Sequence, residues 1–292
     1  MRNIIKIRNL FSLPLYGPRL AASMANVYAG EGDTVRPFVD VSMAYDSNLF
    51  RFATDVEAVA AGANPSLAGL SSIPSLTWQR YGAGLDIDWK QGRQQVSARV
   101  AANKSLYSKF SDLLDYTGRD LKGEWKWQLG NRWSGLLSAS QNRTLAPYTN
   151  YLSGVIENNV RTENDQVFQA DYWFHPEWRA RARLSNSSLS YSATTQKVRD
   201  NDFQRAMFGL YRLGQAVESA GVEFTMTDGS FDANANNDFR EQGIRLVGIW
   251  NYSGKTRYTG RLGYIQRSRD SLTRNDFSGP EWRFEARWQP TG

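Results

Sequence analysis

Almost every stretch of this chain that carries large side chains alternates apolar and polar residues one by one. In YGAGLDIDWK, Tyr81, Ala83, Leu85, Ile87 and Trp89 fall on one side; Gly82, Gly84, Asp86, Asp88 and Lys90 fall on the other. DLKGEWKWQL sets Leu121, Gly123, Trp125, Trp127 and Leu129 against Asp120, Lys122, Glu124, Lys126 and Gln128. WRARARLS opposes Trp178, Ala180, Ala182 and Leu184 to Arg179, Arg181 and Arg183. Near the end, EWRFEARW opposes Trp282, Phe284, Ala286 and Trp288 to Glu281, Arg283, Glu285 and Arg287. A period of two belongs to a strand with one apolar and one polar face, and helical periodicity is nearly absent. The pattern predicts about twelve strands, near 37–49, 77–90, 94–107, 115–129, 132–144, 163–175, 178–190, 202–213, 217–228, 239–252, 256–269 and 277–289. Many exceed the roughly 5–6 residues of an ordinary soluble strand. They are long enough for the roughly 9–11 residues of a bilayer crossing plus an extension beyond it.

The connections constrain the architecture further. Tight links, such as those around Gly92, Gly130, Pro176, Gly214 and Gly254, alternate with long polar ones at 48–76, 104–115, 143–163, 188–202, 228–239 and 268–279. A meander with tight turns on one rim and loops on the other has this signature. Trp89, Trp127, Trp133, Phe174, Trp178, Trp250 and Trp288 gather on the tight-turn side, where a girdle of amphipathic rings marks a membrane interface. A soluble sandwich or propeller has no reason to collect tryptophan on one rim.

Composition narrows the class. The 292 residues, 41% hydrophobic and 13% aromatic, suffice for one large all-β unit or two ordinary domains. With no Cys, a disulfide framework and thiolate zinc sites are excluded, as suits an envelope protein that needs no oxidative folding. The net charge of +6 comes from Lys and Arg interspersed with Asp and Glu, which argues against nucleic acid as a partner. No apolar run approaches the roughly 18 residues of a spanning helix, so a membrane crossing here requires a barrel. Residues 1–35 read as a signal-like or flexible segment, basic at first, then apolar near Leu10–Tyr16, then small around Ala25–Ala29. Residues 36–292 read as an antiparallel up-and-down transmembrane β-barrel. The closing WQPTG repeats the tight-turn series of WKQGR and WQLGN, so the expectation is a barrel that lacks its closing strands. Direct closure of the first strand on the twelfth is the alternative.

Residues can be matched to a family here. RPFVDVSMAYDSNLFR (36–51), LLDYTGRDLKGEWKWQLGNRWSGLLSASQNRT (113–144), NVRTENDQVFQADYWFHPEWRARARLS (159–185) and GRLGYIQRSRDSLTRNDFSG (260–279) resemble EpsL-like outer-membrane barrel proteins. That family is associated with exosortase-linked clusters for extracellular polysaccharide. The resemblance implies an outer-membrane location and a non-enzymatic part in polysaccharide biosynthesis or export. Its implied partners are outer-membrane lipid, the polysaccharide and its export machinery. A general porin is the rival within transport, and a barrel hydrolase acting on lipid or polysaccharide is the rival from another class.

Candidate residues follow from the alternation. His175 is the sole histidine and stands in FHPEW, a short turn, so a His-centred hydrolase site has little to build on. Without Cys, metal ligation is left to carboxylates such as Asp86 with Asp88, and no cofactor is expected. The lumen-facing candidates are the basic stripe Arg179, Arg181 and Arg183, together with Asp86, Asp88, Lys122, Glu124, Glu281, Arg283, Glu285 and Arg287. They either set the field of a conduit, the Arg stripe favouring acidic polymers, or pair across strands and stiffen the wall. Tyr148 and Tyr151, in APYTNYLSG, are loop aromatics able to stack on sugar rings.

Overall fold

The computed structural model describes residues 21–28, 34–50, 70–147, 157–214, 217–269 and 276–289, together with 52, 54, 55, 58 and 67. They form one antiparallel sheet of thirteen strands in which each strand pairs with its chain neighbours. The strands are β1 (Ala21–Tyr28), β2 (Val35–Asp46), β3 (Leu76–Gln91), β4 (Gln94–Tyr107), β5 (Tyr116–Leu129), β6 (Trp133–Leu145) and β7 (Val160–His175). They continue with β8 (Trp178–Tyr191), β9 (Asn201–Leu213), β10 (Val217–Ser230), β11 (Phe239–Ser253), β12 (Thr256–Ser268) and β13 (Phe277–Trp288). The twelve strands expected from the alternation are β2 to β13. The thirteenth, β1, lies inside the segment read as signal-like and pairs with β2. Among the described residues no ladder joins β13 to β1 or β2, so the sheet is an up-and-down meander without a closing pair.

Tight turns and long connections alternate as the sequence predicts. Gly92 and Gly130 carry the turns after β3 and β5 with φ of 58° each, a left-handed conformation that costs glycine nothing. Opposite them, the strand ends that lead into the long connections form the other rim. There the sheet gains a buried apolar cluster: Phe50, Phe52, Ala58 and Leu67 from the first long connection, Leu76 of β3, and Leu113 and Leu114 of a single helical turn. Trp78, Tyr107 and Phe110 pack against it. Asn48 clamps the first connection by donating to the Phe52 carbonyl at 2.7 Å and accepting from the Phe52 amide at 3.0 Å. Leu76, Trp78 and Tyr107 share the polar-face parity of their strands, so this cap seats on the polar face of the sheet.

Register shows how the sheet is inclined. The row that begins at Trp89 runs through Val96, Trp125, Leu137, Phe168, Leu184, Ala206, Met226, Gln242 and Gln266 to Ser278. Trp89 lies two residues from the tight-turn end of β3, and Trp288 is the last residue of β13. After ten strand-to-strand steps the row therefore meets β13 ten residues away from its tight-turn end. The distance from the rim grows from two residues to ten over these ten steps. That climb of about 0.8 residue per strand, roughly 2.6 Å per 4.8 Å of sheet width, inclines the rim by roughly 29° to the rows. Closed barrels tilt their strands by roughly 35–45°.

Candidate functional site

The two faces differ sharply. On the apolar face Leu85, Val100, Leu137, Phe168, Leu184, Phe208, Phe224, Ile244, Leu246, Leu262 and Trp282 are all exposed; Leu184 shows 57% and Trp282 78% of its surface. These side chains form a continuous band bounded on the long-connection side by Gln141, Asn164, Gln166, Asn186, Gln204, Gln242 and Gln266, which share the same face. Of the expected girdle, Trp89, Trp133, Phe174, Trp250 and Trp288 are exposed on this face. Trp127 shares their face and lies half-buried against Gly135. Trp178 stacks on Phe174 with ring centroids 6.5 Å apart. All six tryptophans lie within three residues of a tight-turn strand end while occupying different rows.

Every lumen-facing candidate shares the opposite, polar face. Alternation makes Arg179, Arg181 and Arg183 neighbours on β8, and the tight turn around Pro176 sets Arg181 opposite Asp171 of β7. Arg181 donates to both oxygens of Asp171, from Nε at 2.6 Å and from Nη2 at 3.1 Å. Asp171 keeps only 8% of its side chain exposed. Arg179 reaches the same carboxylate at 4.0 Å and lies over the rings of Trp173 and Tyr211, 5.4 and 5.2 Å from their centroids. Tyr211 donates its hydroxyl to Glu223 at 2.8 Å. Its ring lies across Gly209 and Gly221, where any β-carbon would collide with it. Arg183 is exposed further along the strand.

The same compensation recurs elsewhere on this face. Asp86 pairs with Arg99 at 3.3 Å, and Arg99 also reaches Asp120 at 3.4 Å. Glu124 pairs with Lys126 at 2.8 Å, while Asp88 and Lys122 stand exposed. Glu281 pairs with Arg245, and Glu285 with Arg287 at 3.3 Å and Arg283 at 3.9 Å. The Arg245–Glu281 contact spans from β11 to β13 across Gly263 of β12, where an added β-carbon would stand 2.8 Å from Arg245 Cγ. Glu241 holds Arg267 at 2.6 Å. Thus the Arg stripe is not a bare cationic track: two of its three members are matched to Asp171. Cross-strand pairing, one of the two readings open from the sequence, is what Arg181 and Asp86 adopt.

Other candidates fall differently. His175 accepts a hydrogen bond from the Glu177 amide at 3.2 Å within its turn. Tyr148 and Tyr151 lie outside the described residues. No group of metal-ligating side chains forms among the described residues, and no helix there is long and apolar enough to cross a membrane. Tyr211, Glu223, Arg245 and Arg267 were missed as site residues. Tyr211 and Glu223 straddle the tight turn after β9, so hairpin register was the available signal for that pair. Compared with protein-family models, curated proteins and solved structures, the chain matches none.

Proposed function

We propose that this chain forms the wall of an outer-membrane β-barrel that takes part in moving or assembling extracellular polysaccharide. The observation that carries the membrane part is the placement of the six girdle tryptophans, Trp89, Trp127, Trp133, Trp178, Trp250 and Trp288. They follow the tight-turn rim, which climbs across the hydrogen-bonded rows, instead of following any one row. A flat environment outside the protein, such as a bilayer interface, fixes ring height in this way. The apolar band supports the same reading. About nine residues of strand at roughly 3.3 Å each, tilted by roughly 35–45°, stand close to the roughly 25 Å of an outer-membrane apolar belt. The long connections then face the exterior and the tight turns the periplasm.

The polysaccharide part rests on the resemblance of 36–51, 113–144, 159–185 and 260–279 to EpsL-like proteins, and the polar face suits it. Paired charges flatten the field, while Ser, Thr, Asn and Tyr hydroxyls and amides offer hydrogen bonds to sugar. Asp171 gives Arg179 and Arg181 a single carboxylate between them and Arg183 is exposed, so the stripe keeps an excess of cations that suits a weakly acidic chain. Reconstitution in planar bilayers tests both parts. Ion conductance should appear and should be blocked by fragments of a weakly acidic polysaccharide. An open current that polysaccharide leaves untouched favours the general porin, and failure to insert overturns the membrane reading.

A further inference from the structure

On β2 to β8, the positions of apolar-face parity carry three charges, and all three are cationic: Lys104 of β4, Arg119 of β5 and Arg143 of β6. They sit on adjacent strands, just above the apolar band on the long-connection side. Arg119 and Arg143 are direct register partners, and Arg119 also faces Ala102, two residues from Lys104. Like charges directly opposite on neighbouring strands destabilise a sheet. On the polar face, cations such as Arg99, Arg181, Arg245 and Arg267 have carboxylate partners. None of these three has an ion-pair partner among the described residues, and Lys104 and Arg119 are exposed. Their surroundings are amphiphilic. Beneath them lie Val100, Leu121, Ala139 and Leu137. Beside Arg143, Gln141 donates to Asn164 at 2.7 Å and Asn164 donates to Ser188 at 3.1 Å, an amide row on the same face.

We infer that Lys104, Arg119 and Arg143 bind the phosphates of a phosphorylated glycolipid in the leaflet on the long-connection side. An anion between the three relieves their repulsion, and Arg presents paired donors that match phosphate oxygens. Acyl chains lie along the apolar band below, and the amide row meets the sugar. A free acidic polymer would gain nothing from a site whose lower half is apolar, so a lipid is the occupant. This inference rests on the membrane reading proposed above.

The test uses the full chain in vesicles of zwitterionic phospholipid doped with a phosphorylated lipid A-type glycolipid, its dephosphorylated form, or phosphatidylglycerol. Insertion is checked first by heat-modifiable migration, and its failure in every vesicle sinks the membrane reading on its own. In the inserted protein, the phosphorylated glycolipid should bind at least tenfold more tightly than the other two. Joint substitution of Lys104→Gln, Arg119→Gln and Arg143→Gln should abolish that preference, while Arg240→Gln, whose native side chain pairs with Asp228 at 2.8 Å, should keep it. An inserted triple variant with unchanged preference overturns the inference, as does equal binding of phosphatidylglycerol. Triad-dependent binding of acidic polysaccharide in detergent, with no lipid preference, overturns it too.

Discussion

At the scale of single residues, Asp171 is the most exacting position. Its carboxylate accepts two hydrogen bonds from Arg181 and sits near Arg179, in a part of the wall that excludes most water. Removing one partner of such a pair costs more than the pair contributes, because the other charge is left stranded. Arg181 retains 23% side-chain exposure, which moderates the penalty. Asp171→Asn should therefore lower the unfolding free energy by about 1–3 kcal/mol, measured by urea titration of the lipid-reconstituted protein. Adding Arg181→Gln should recover much of that loss, and a double-mutant cycle reads the coupling. Additive losses would mean that the two side chains do not act as a pair. This contact was legible in principle: the tight turn at Pro176 places residues five before and five after it opposite each other. Arg245 with Glu281 was not legible, because it crosses β12 and depends on the register of two hairpins and on Gly263 leaving room.

Among elements, hairpins were the most readable. Each alternating segment yielded a strand, since large side chains on one parity leave the backbone little choice of face once that face has a preferred environment. Turn glycines then fix where each strand reverses. At Gly92 and Gly130 nothing lies within 4 Å of an added β-carbon, so only the left-handed backbone resists substitution. Gly130→Ala should cost about 1 kcal/mol in the same titration. Gly123 also has open space around it, but it lies within β5 and lacks a positive φ. Gly123→Ala should be neutral or slightly stabilising, and an equal loss at both sites would refute the conformational explanation. Besides β1, the element that alternation could not reveal is the cap. Phe50, Phe52 and Leu67 obey no period, and what buries them is three-dimensional: the rim residues Leu76, Trp78 and Tyr107 converge only when β3 and β4 pair.

For the whole molecule, the decisive matter is which medium touches the apolar face. Sequence alternation told which side chains share that face, while its continuity came only with register, which aligns Leu137, Phe168 and Leu184 in one row. The inclination of that row to the rim was likewise invisible in the sequence, because a tilt depends on how successive hairpins are staggered. Leu184 lies within the band and is exposed over 57% of its surface. If water surrounded it, Leu184→Arg would be nearly free, like other surface changes, within about 0.5 kcal/mol. If hydrocarbon surrounds it, the guanidinium must lose hydration or drag water into the bilayer, at about 2–4 kcal/mol near the midplane. The neighbouring position Arg183, on the polar face, already tolerates that side chain. Comparing Leu184→Arg with Asn186→Arg, two residues nearer the long connections on the same face, separates depth from face. The penalty should fall to about 0–1 kcal/mol at 186 in lipid vesicles. A uniformly small effect at both positions would place the band in water and remove the basis for reading this sheet as a membrane wall.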